Sequence, residues 1–428
     1  MNFFKALDPT ERRTFKLHLL YFFIDGVILG VMALNEFVIL RSMNGSNLQV
    51  AMLTQFMAFV LIFAIFFNEI LRRIKNKKKL LRVIAISTRL PLFALIFFPK
   101  NPEAYSAGSI YPYLFLAIFL IYVLANPLLF PTINMFLKNN YSHKNFGKLY
   151  GYASTVNKVV VMLVTVGFGF LLDFDSYSIR YVYPIVGALG ILSIFILSLI
   201  DTKSIPIIQI KRSFWTAIKD SLVTIKSIIV GNKPYRDFEI GFMLYGIAWM
   251  VTFPVISIFL ADELNMNGAS FGFYKNAYNI LTIFMIPFFG KLIGKIDPRR
   301  FAIITFSTMA LHLVLLIVTH YFPVYTDFMN IRLYLFLILS YLAFSVFIAT
   351  MSILWYIGSA YFCKDEDVST YQAIHTSLTG VRGLFAPLLG IVIFSFFGYN
   401  VTFSFGAFLL FTAIIILVRS YKRKNNSI

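Results

Sequence analysis

Apolar residues in this chain neither alternate with polar ones at strand spacing nor form one stripe of a water-facing helix. They run on for about twenty positions at a time. Such runs fall near residues 16–40, 48–71, 82–98, 111–137, 149–172, 180–200, 237–260, 270–290, 301–319, 332–360, 369–395 and 400–418. Roughly 20 apolar residues in helical conformation cross the hydrocarbon core of a bilayer. The pattern therefore predicts an all-α membrane protein with twelve transmembrane helices. Ser42 to Asn68 and Leu333 to Cys363 hold no charged residue at all, too long an interval for helices facing water. The spans and their loops occupy nearly all 428 residues, which leaves no room for a separate catalytic domain.

Composition agrees: 59% of residues are hydrophobic, 13% are charged, and the mean hydropathy is +0.78. A soluble domain is about a quarter charged, so a soluble enzyme is excluded. The net charge of +19 would suggest a nucleic-acid partner in a soluble chain. Here it records topology. With the amino end placed in the cytoplasm, 30 of the 38 Lys and Arg residues fall on that side, 4 on the opposite side and 4 inside spans. That bias is what the positive-inside rule demands of a chain with both termini cytoplasmic, and it needs no nucleic acid. The opening segment MNFFKALDPTERRTF is charged and lacks a small-residue cleavage site, so the first span is expected to stay as an anchor. High Lys, Ile, Asn and Phe usage points to a bacterial inner membrane. The single cysteine, Cys363, excludes a disulfide framework and a thiolate metal cluster, and no cofactor is expected.

The chain reads as built twice. MNGSN at Met43–Asn47 returns as MNGAS at Met266–Ser270, an offset of 223 residues. The same offset carries Gly167 onto Gly390 and the basic stretch Glu69–Lys79 onto Leu292–Ala302, and it brings Lys158 within one residue of Arg382. The expected organisation is a six-helix half over residues 1–200, a cytoplasmic linker over 201–236 and a second six-helix half over 237–428. In the linker, Phe214, Ile218, Leu222, Ile225 and Ile229 recur at spacings of three and four, which predicts an amphipathic helix on the membrane surface or against the bundle ends. Parallel repeats of this kind serve alternating access in one large class of transporters.

Ionisable side chains inside spans are costly and mark function by default. Asp25, Lys158 and Arg382 lie ten to thirteen residues into spans 1, 5 and 11, near the membrane midplane. One carboxylate and two cations leave excess positive charge, which an anionic solute would balance. The alternative is an Asp25–Lys158 pair that fixes helix packing, with Arg382 bonded to backbone carbonyls. Asp25 is also a candidate proton site. Gln372, His375, Thr379 and Arg382 share one face of span 11, the strongest local sign of a cavity wall. Asn126 precedes Pro127 and Pro131 in span 4, where a kink is expected. Tyr245 and Trp249 in span 7 and Trp355 in span 10 suit an amphipathic organic ligand or plain packing. Glu36 and Lys275 near the outer span ends read as snorkelling interfacial residues or as an outer gate. Arg89 reads as an anchor near the cytoplasmic end.

Gly290, Leu292, Lys295, Arg299 and Arg300, between spans 8 and 9, resemble the G-x-L-x-D-R-x-G-R-[RK] signature of the major facilitator superfamily, with Gly294 where the acid would stand. Together with two halves, cytoplasmic termini and a long central loop, the whole chain resembles that superfamily. Span 5 lacks the Gly-Pro motif of proton-coupled drug antiporters, and span 4 lacks the arginine those exporters carry. The resemblance implies that spans 1, 5 and 11 border a central cavity and that Gly290, Lys295, Arg299 and Arg300 serve gating. The function so implied is secondary active transport of a small organic solute by alternating access, by a monomer in contact with lipids and drawing on protons where coupled, and the excess positive midplane charge points to an anionic solute as one candidate. The alternatives are a proton-coupled exporter of amphipathic compounds, an intramembrane enzyme, or a receptor on a transporter fold. No G-x-x-x-x-G-K-[ST] loop exists for nucleotide-driven pumping.

Overall fold

The computed structural model describes residues 7–62, 74, 76–201, 227–293, 295–363 and 368–425. The predicted linker stripe at Phe214, Ile218, Leu222 and Ile225 lies outside them, as does Gly294.

The described chain is helical almost throughout. Helix α1 (Pro9–Met32) continues through a short turn into a π-helical end, Val38–Ser42. Then come α2 (Asn47–Ile62), α3 (Lys77–Arg89), α4 (Ile110–Val123), α5 (Asn126–Asn140), α6 (His143–Phe174) and α7 (Ile179–Ser198). The remainder comprises α8 (Lys233–Ile258), α9 (Gly268–Ile293), α10 (Pro298–Tyr321), α11 (Leu335–Ile357), α12 (Val368–Gly383) and α13 (Ala386–Asn425). Among the described residues, nine helical stretches are long and apolar enough to cross a membrane. Two further predicted spans correspond to α2, described as far as Ile62, and α9. The eleventh and twelfth form one continuous stretch in which Gly398, at φ 77°, breaks the helix in two. The molecule is a multi-pass all-α membrane protein.

Local chemistry sets the boundaries. Asp8, Asn76, Asn232 and Asp297 cap α1, α3, α8 and α10, each side chain accepting from a backbone N–H two or three residues on. Pro91 ends α3, and the chain tightens into a 3₁₀ helix over Leu90–Phe97. Span 4 is broken between α4 and α5, just before Pro127, where the kink was expected. Span 10 starts later than predicted. Ile331–Tyr334 (β2) pairs antiparallel with Tyr325–Phe328 (β1), a hairpin whose second strand runs straight into the apolar stretch of α11.

The repeat is present in the backbone, with a corrected register. The π turns Val38–Ser42 and Phe259–Glu263, the left-handed Asn44 and Asn265, the helix starts Asn47 and Gly268, and the caps Asn76 and Asp297 all stand 221 residues apart. The 223-residue offset had aligned a short tripeptide, whereas the repeated feature is the left-handed asparagine that ends each π turn. In the corrected register Gly390 matches Gly169 rather than Gly167. Both Gly169 and Gly390 touch backbone of another helix where a Cβ would collide, while Gly167 faces open space.

The chain forms two compact units, Met1–Ile208 with Met266–Asn276, and Gln209–Asn265 with Ala277–Ile428. In the first, α1 packs along α6, and α7 packs on α1 and α3. Its buried core includes Phe15, Tyr21, Leu81, Phe136 and Leu149. In the second, α8 lies along α13, and α10 packs against α11 and α13.

Candidate functional site

In each unit, buried polar side chains gather around the predicted site residues. In the first, Gly26 and Gly30 on α1 admit the backbone and β-branched side chains of α6 at close range, so the helices meet with little between them. That approach brings Asn157 of α6 against α1. Its amide donates to the Phe22 carbonyl (2.8 Å) and to the Asp25 carboxylate (3.4 Å). Asp25 therefore meets Asn157 and not Lys158. One residue is about 100° on a helix, enough to turn the lysine to another face. Lys158 is half-buried and has no hydrogen bond or ion pair among the described residues.

The cation that acts on Asp25 through space is Arg89. It is buried rather than anchored at an interface. Its guanidinium lies 4.0 Å from the Tyr122 ring centroid and donates to the Tyr122 carbonyl (3.2 Å) and the Thr88 hydroxyl (2.6 Å). Gly190 on α7 makes room for its aliphatic stem. His18, one helical stretch earlier on α1, is fully buried and bonds Tyr141 (3.0 Å). Asn126 begins α5 beside the break. Glu36 and Lys275, expected either to snorkel or to form an outer gate, are an ion pair within this unit rather than two separate interfacial side chains, with Glu36 buried and the lysine over Phe271. Nearby, Asp173 caps the start of α9 by accepting from Gly268 and Ala269.

In the second unit the predicted face of span 11 is buried, and its partner is a residue the sequence reading passed over. His375 on α12 meets both carboxylate oxygens of Glu239 on α8, at 3.0 and 3.1 Å. Both side chains are almost fully enclosed. The imidazole is flanked by Phe242 and Trp355 at 4.7 and 4.6 Å between ring centroids. One turn on, the Thr379 hydroxyl donates to the His375 carbonyl and accepts from Arg382 (3.1 Å). Arg382 also donates to the Phe242 carbonyl, and it lies 5.8 Å from Tyr245 and 5.9 Å from Trp355. Gly246 on α8 accommodates the guanidinium, where any Cβ would collide with it. Glu239 is within electrostatic reach of Arg382, so the cluster carries its own countercharge. Tyr245 stacks on Phe306 (5.1 Å) and Trp249 on Phe344 (5.6 Å), extending the wall in aromatic side chains. The backbone of Gln372 continues this helix, but its side chain lies outside the description.

The signature-like residues separate. Arg299 is buried, grips Asp297 with two nitrogens (3.0 and 2.8 Å), and donates to the carbonyl and hydroxyl of Ser420 (2.8 and 3.1 Å). The acid that serves this arginine is thus Asp297, the cap of α10. Arg300 is exposed, over Tyr421 at 4.7 Å, and Gly290 and Lys295 are exposed. Among the described residues no three His, Cys, Asp or Glu side chains gather as metal ligands.

Glu239 was legible in principle. It is the acid inside span 7 that lies three residues before Phe242 and seven before Gly246, on the helix face that the Arg382 stripe meets. Its place near the start of span 7, two residues after the predicted edge at 237, hid it.

Residues 238–427 match the sequence family described as Major Facilitator Superfamily. No curated protein matches the chain at the sequence level. Solved structures of the same fold do. Nucleoside transporter NupG aligns over 97% of this chain and 99% of its own, at 13% identity and a TM-score of 0.67. A D-xylose–proton symporter aligns over 96% of both chains, at 15% identity and a TM-score of 0.62. A peptide transporter of the POT family, in complex with sulfate, aligns over 97% of this chain and 94% of its own, at 12% identity and a TM-score of 0.66.

Proposed function

We propose that the chain is a divergent member of the Major Facilitator Superfamily, whose model matches residues 238–427, and that it moves a small organic anion across a bacterial inner membrane as a secondary transporter, both termini being cytoplasmic. The two halves, residues 1–200 and 237–428, would exchange access to the solute around midplane side chains. One observation carries the anionic assignment. Asp25 is matched by Arg89, Glu36 by Lys275 and Arg382 by Glu239, which leaves Lys158 as a cation in a span without a partner among the described residues. An unpaired charge in low dielectric is unfavourable, and a solute carboxylate or phosphate would relieve it.

A second observation favours proton coupling. Glu239 and His375 share a buried hydrogen bond, and Nε2 of that histidine has no partner within the described residues.

The test is thermal stabilisation of the purified protein by small anions, neutral solutes and cationic drugs, with uptake into liposomes measured in parallel. A ligand at about 100 times its Kd stabilises the folded state by about 2.7 kcal/mol. Anions are expected to raise the Tm of the wild type and to leave Lys158→Gln unmoved. Stabilisation by neutral or cationic compounds alone would exclude the anionic assignment. Uptake that ignores an imposed pH gradient would exclude proton coupling.

A further inference from the structure

Between α10 and α11 the chain leaves one apolar helix at Tyr321 and enters the next at Leu335, and the fourteen residues of Tyr321–Tyr334 carry a single acid and a single base. Those two, Asp327 and Arg332, face each other across the hairpin as register partners, so the hairpin is electrically neutral. The turn at Met329–Asn330 has both residues left-handed, at φ 48° and 61°, the geometry that matches the twist of a two-residue hairpin. Strand β1 is exposed along its whole length. Alongside the exposed Thr326 and Asp327, the segment from Phe322 to Met329 shows large apolar side chains that a water-facing loop avoids. Phe322, Val324 and Phe328 are each about 60% exposed, and Met329 at the tip is 76% exposed.

This apolar surface is continuous with one that faces lipid. On α11 the exposed residues Leu335, Leu339 and Leu342 recur at spacings of four and three, a stripe without protein packed on it. Leu335 donates its backbone N–H to the Val324 carbonyl (3.0 Å), so the stripe runs directly into the hairpin. On α10, Leu311, Val314 and Tyr321 lead to Phe322 in the same way. The hairpin is also held in place. The Tyr334 hydroxyl donates to the Leu264 carbonyl and Arg332 to the Asn265 carbonyl, each at 3.0 Å. A fixed, neutral, aromatic element at the ends of two spanning helices has the composition of a membrane-interface belt.

We propose that this hairpin is an interfacial anchor, with β1 and the Met329 tip seated among the headgroups and upper acyl chains of the bilayer around α10 and α11. Its occupant is phospholipid taken up through apolar and aromatic contact, independent of lipid charge. Because the hairpin is fixed to the end of α8, lipid packing at that depth bears on the second unit directly.

The test uses the full chain in phosphatidylcholine nanodiscs, with Cys363→Ser to remove the native thiol and Met329→Cys labelled with an environment-sensitive fluorophore. Glu103→Cys, in a short polar loop, is the control. The label at 329 should emit at shorter wavelength than the control, be quenched at least twofold more by a spin label near the lipid headgroup, and resist aqueous iodide. Phe328→Cys, on the strand itself, should read the same and guards against disturbance of the turn by the dye. Replacing half the lipid with phosphatidylglycerol should change nothing. Iodide quenching equal to that of the control, with no lipid quenching, overturns the proposal. So does shielding from both quenchers that disappears when each disc holds one copy, which would assign the surface to a second chain. Lipid quenching seen only with the anionic lipid would overturn the charge-independent anchor.

Discussion

At the corrected spacing of 221 residues, His18 in the first unit answers to Glu239 in the second, Asp25 to Gly246, and Lys158 to Thr379. The two backbones agree in caps, π turns and helix starts, yet the chemistry has been redistributed. In the first unit the carboxylate sits seven residues further along its helix than in the second, about 10 Å deeper by helical rise. Where the first unit has that carboxylate, the second has a glycine, and the vacated space is taken by an arginine from a different helix. The first cluster spreads its charges over α1 and α3, with the neutral Asn157 from α6 between helices, whereas the second binds acid, imidazole and guanidinium within two turns of α8 and α12. A duplicated frame conserves what the backbone needs and leaves the side chains free to specialise. The second unit is accordingly the more tightly coupled of the two.

That contrast can be broken in order of severity. Glu239→Ala strips the countercharge from a buried arginine and the partner from a buried histidine, and it should cost about 3–5 kcal/mol. A large fall in Tm is expected, with uptake lost. The equivalent His18→Ala should be milder because only a neutral hydrogen bond goes. Equal losses would show that the units are equally coupled. Gly246→Val pushes the Arg382 guanidinium from its seat, an overpacking of about 1–3 kcal/mol, and Arg382→Gln in the same chain should restore part of the lost Tm. If the double variant is no better, the glycine is not there for the arginine. Asp173→Ala removes the cap of α9 and should lower stability by about 0.5–2 kcal/mol, read as a smaller shift in a melting curve. Smallest of all, Lys158→Gln should leave stability within about 0.5 kcal/mol of wild type, since it breaks no contact among the described residues, while abolishing stabilisation by anions.

Much of this was legible because a bilayer imposes long-range regularity on a sequence. Span positions, the break before Pro127 and the common face of His375, Thr379 and Arg382 all follow from helical rise and composition. What failed was rotation about the helix axis and partnership between helices. Asn157 and Lys158 differ by one position and share a depth, so depth alone could not say which meets Asp25. Arg89 looked peripheral until α4 and α7 enclosed it. Glu36 and Lys275 are 239 residues apart, and no local pattern joins them. The hairpin was missed because its second strand, Ile331–Tyr334, runs without interruption into the apolar stretch of α11.

The π turns at Val38–Ser42 and Phe259–Glu263 speak to history. Each widens a helix end by one residue beyond the usual period, and each is followed by an asparagine in the left-handed region. Two independent insertions landing at the same station of each copy would be a coincidence. One insertion before the ancestral gene doubled accounts for both. By that reckoning the widened turn is older than the twelve-span chain itself. Asp25 and Glu239 have no acidic counterpart in the other copy, so the two copies diverged in side chains after they shared that turn.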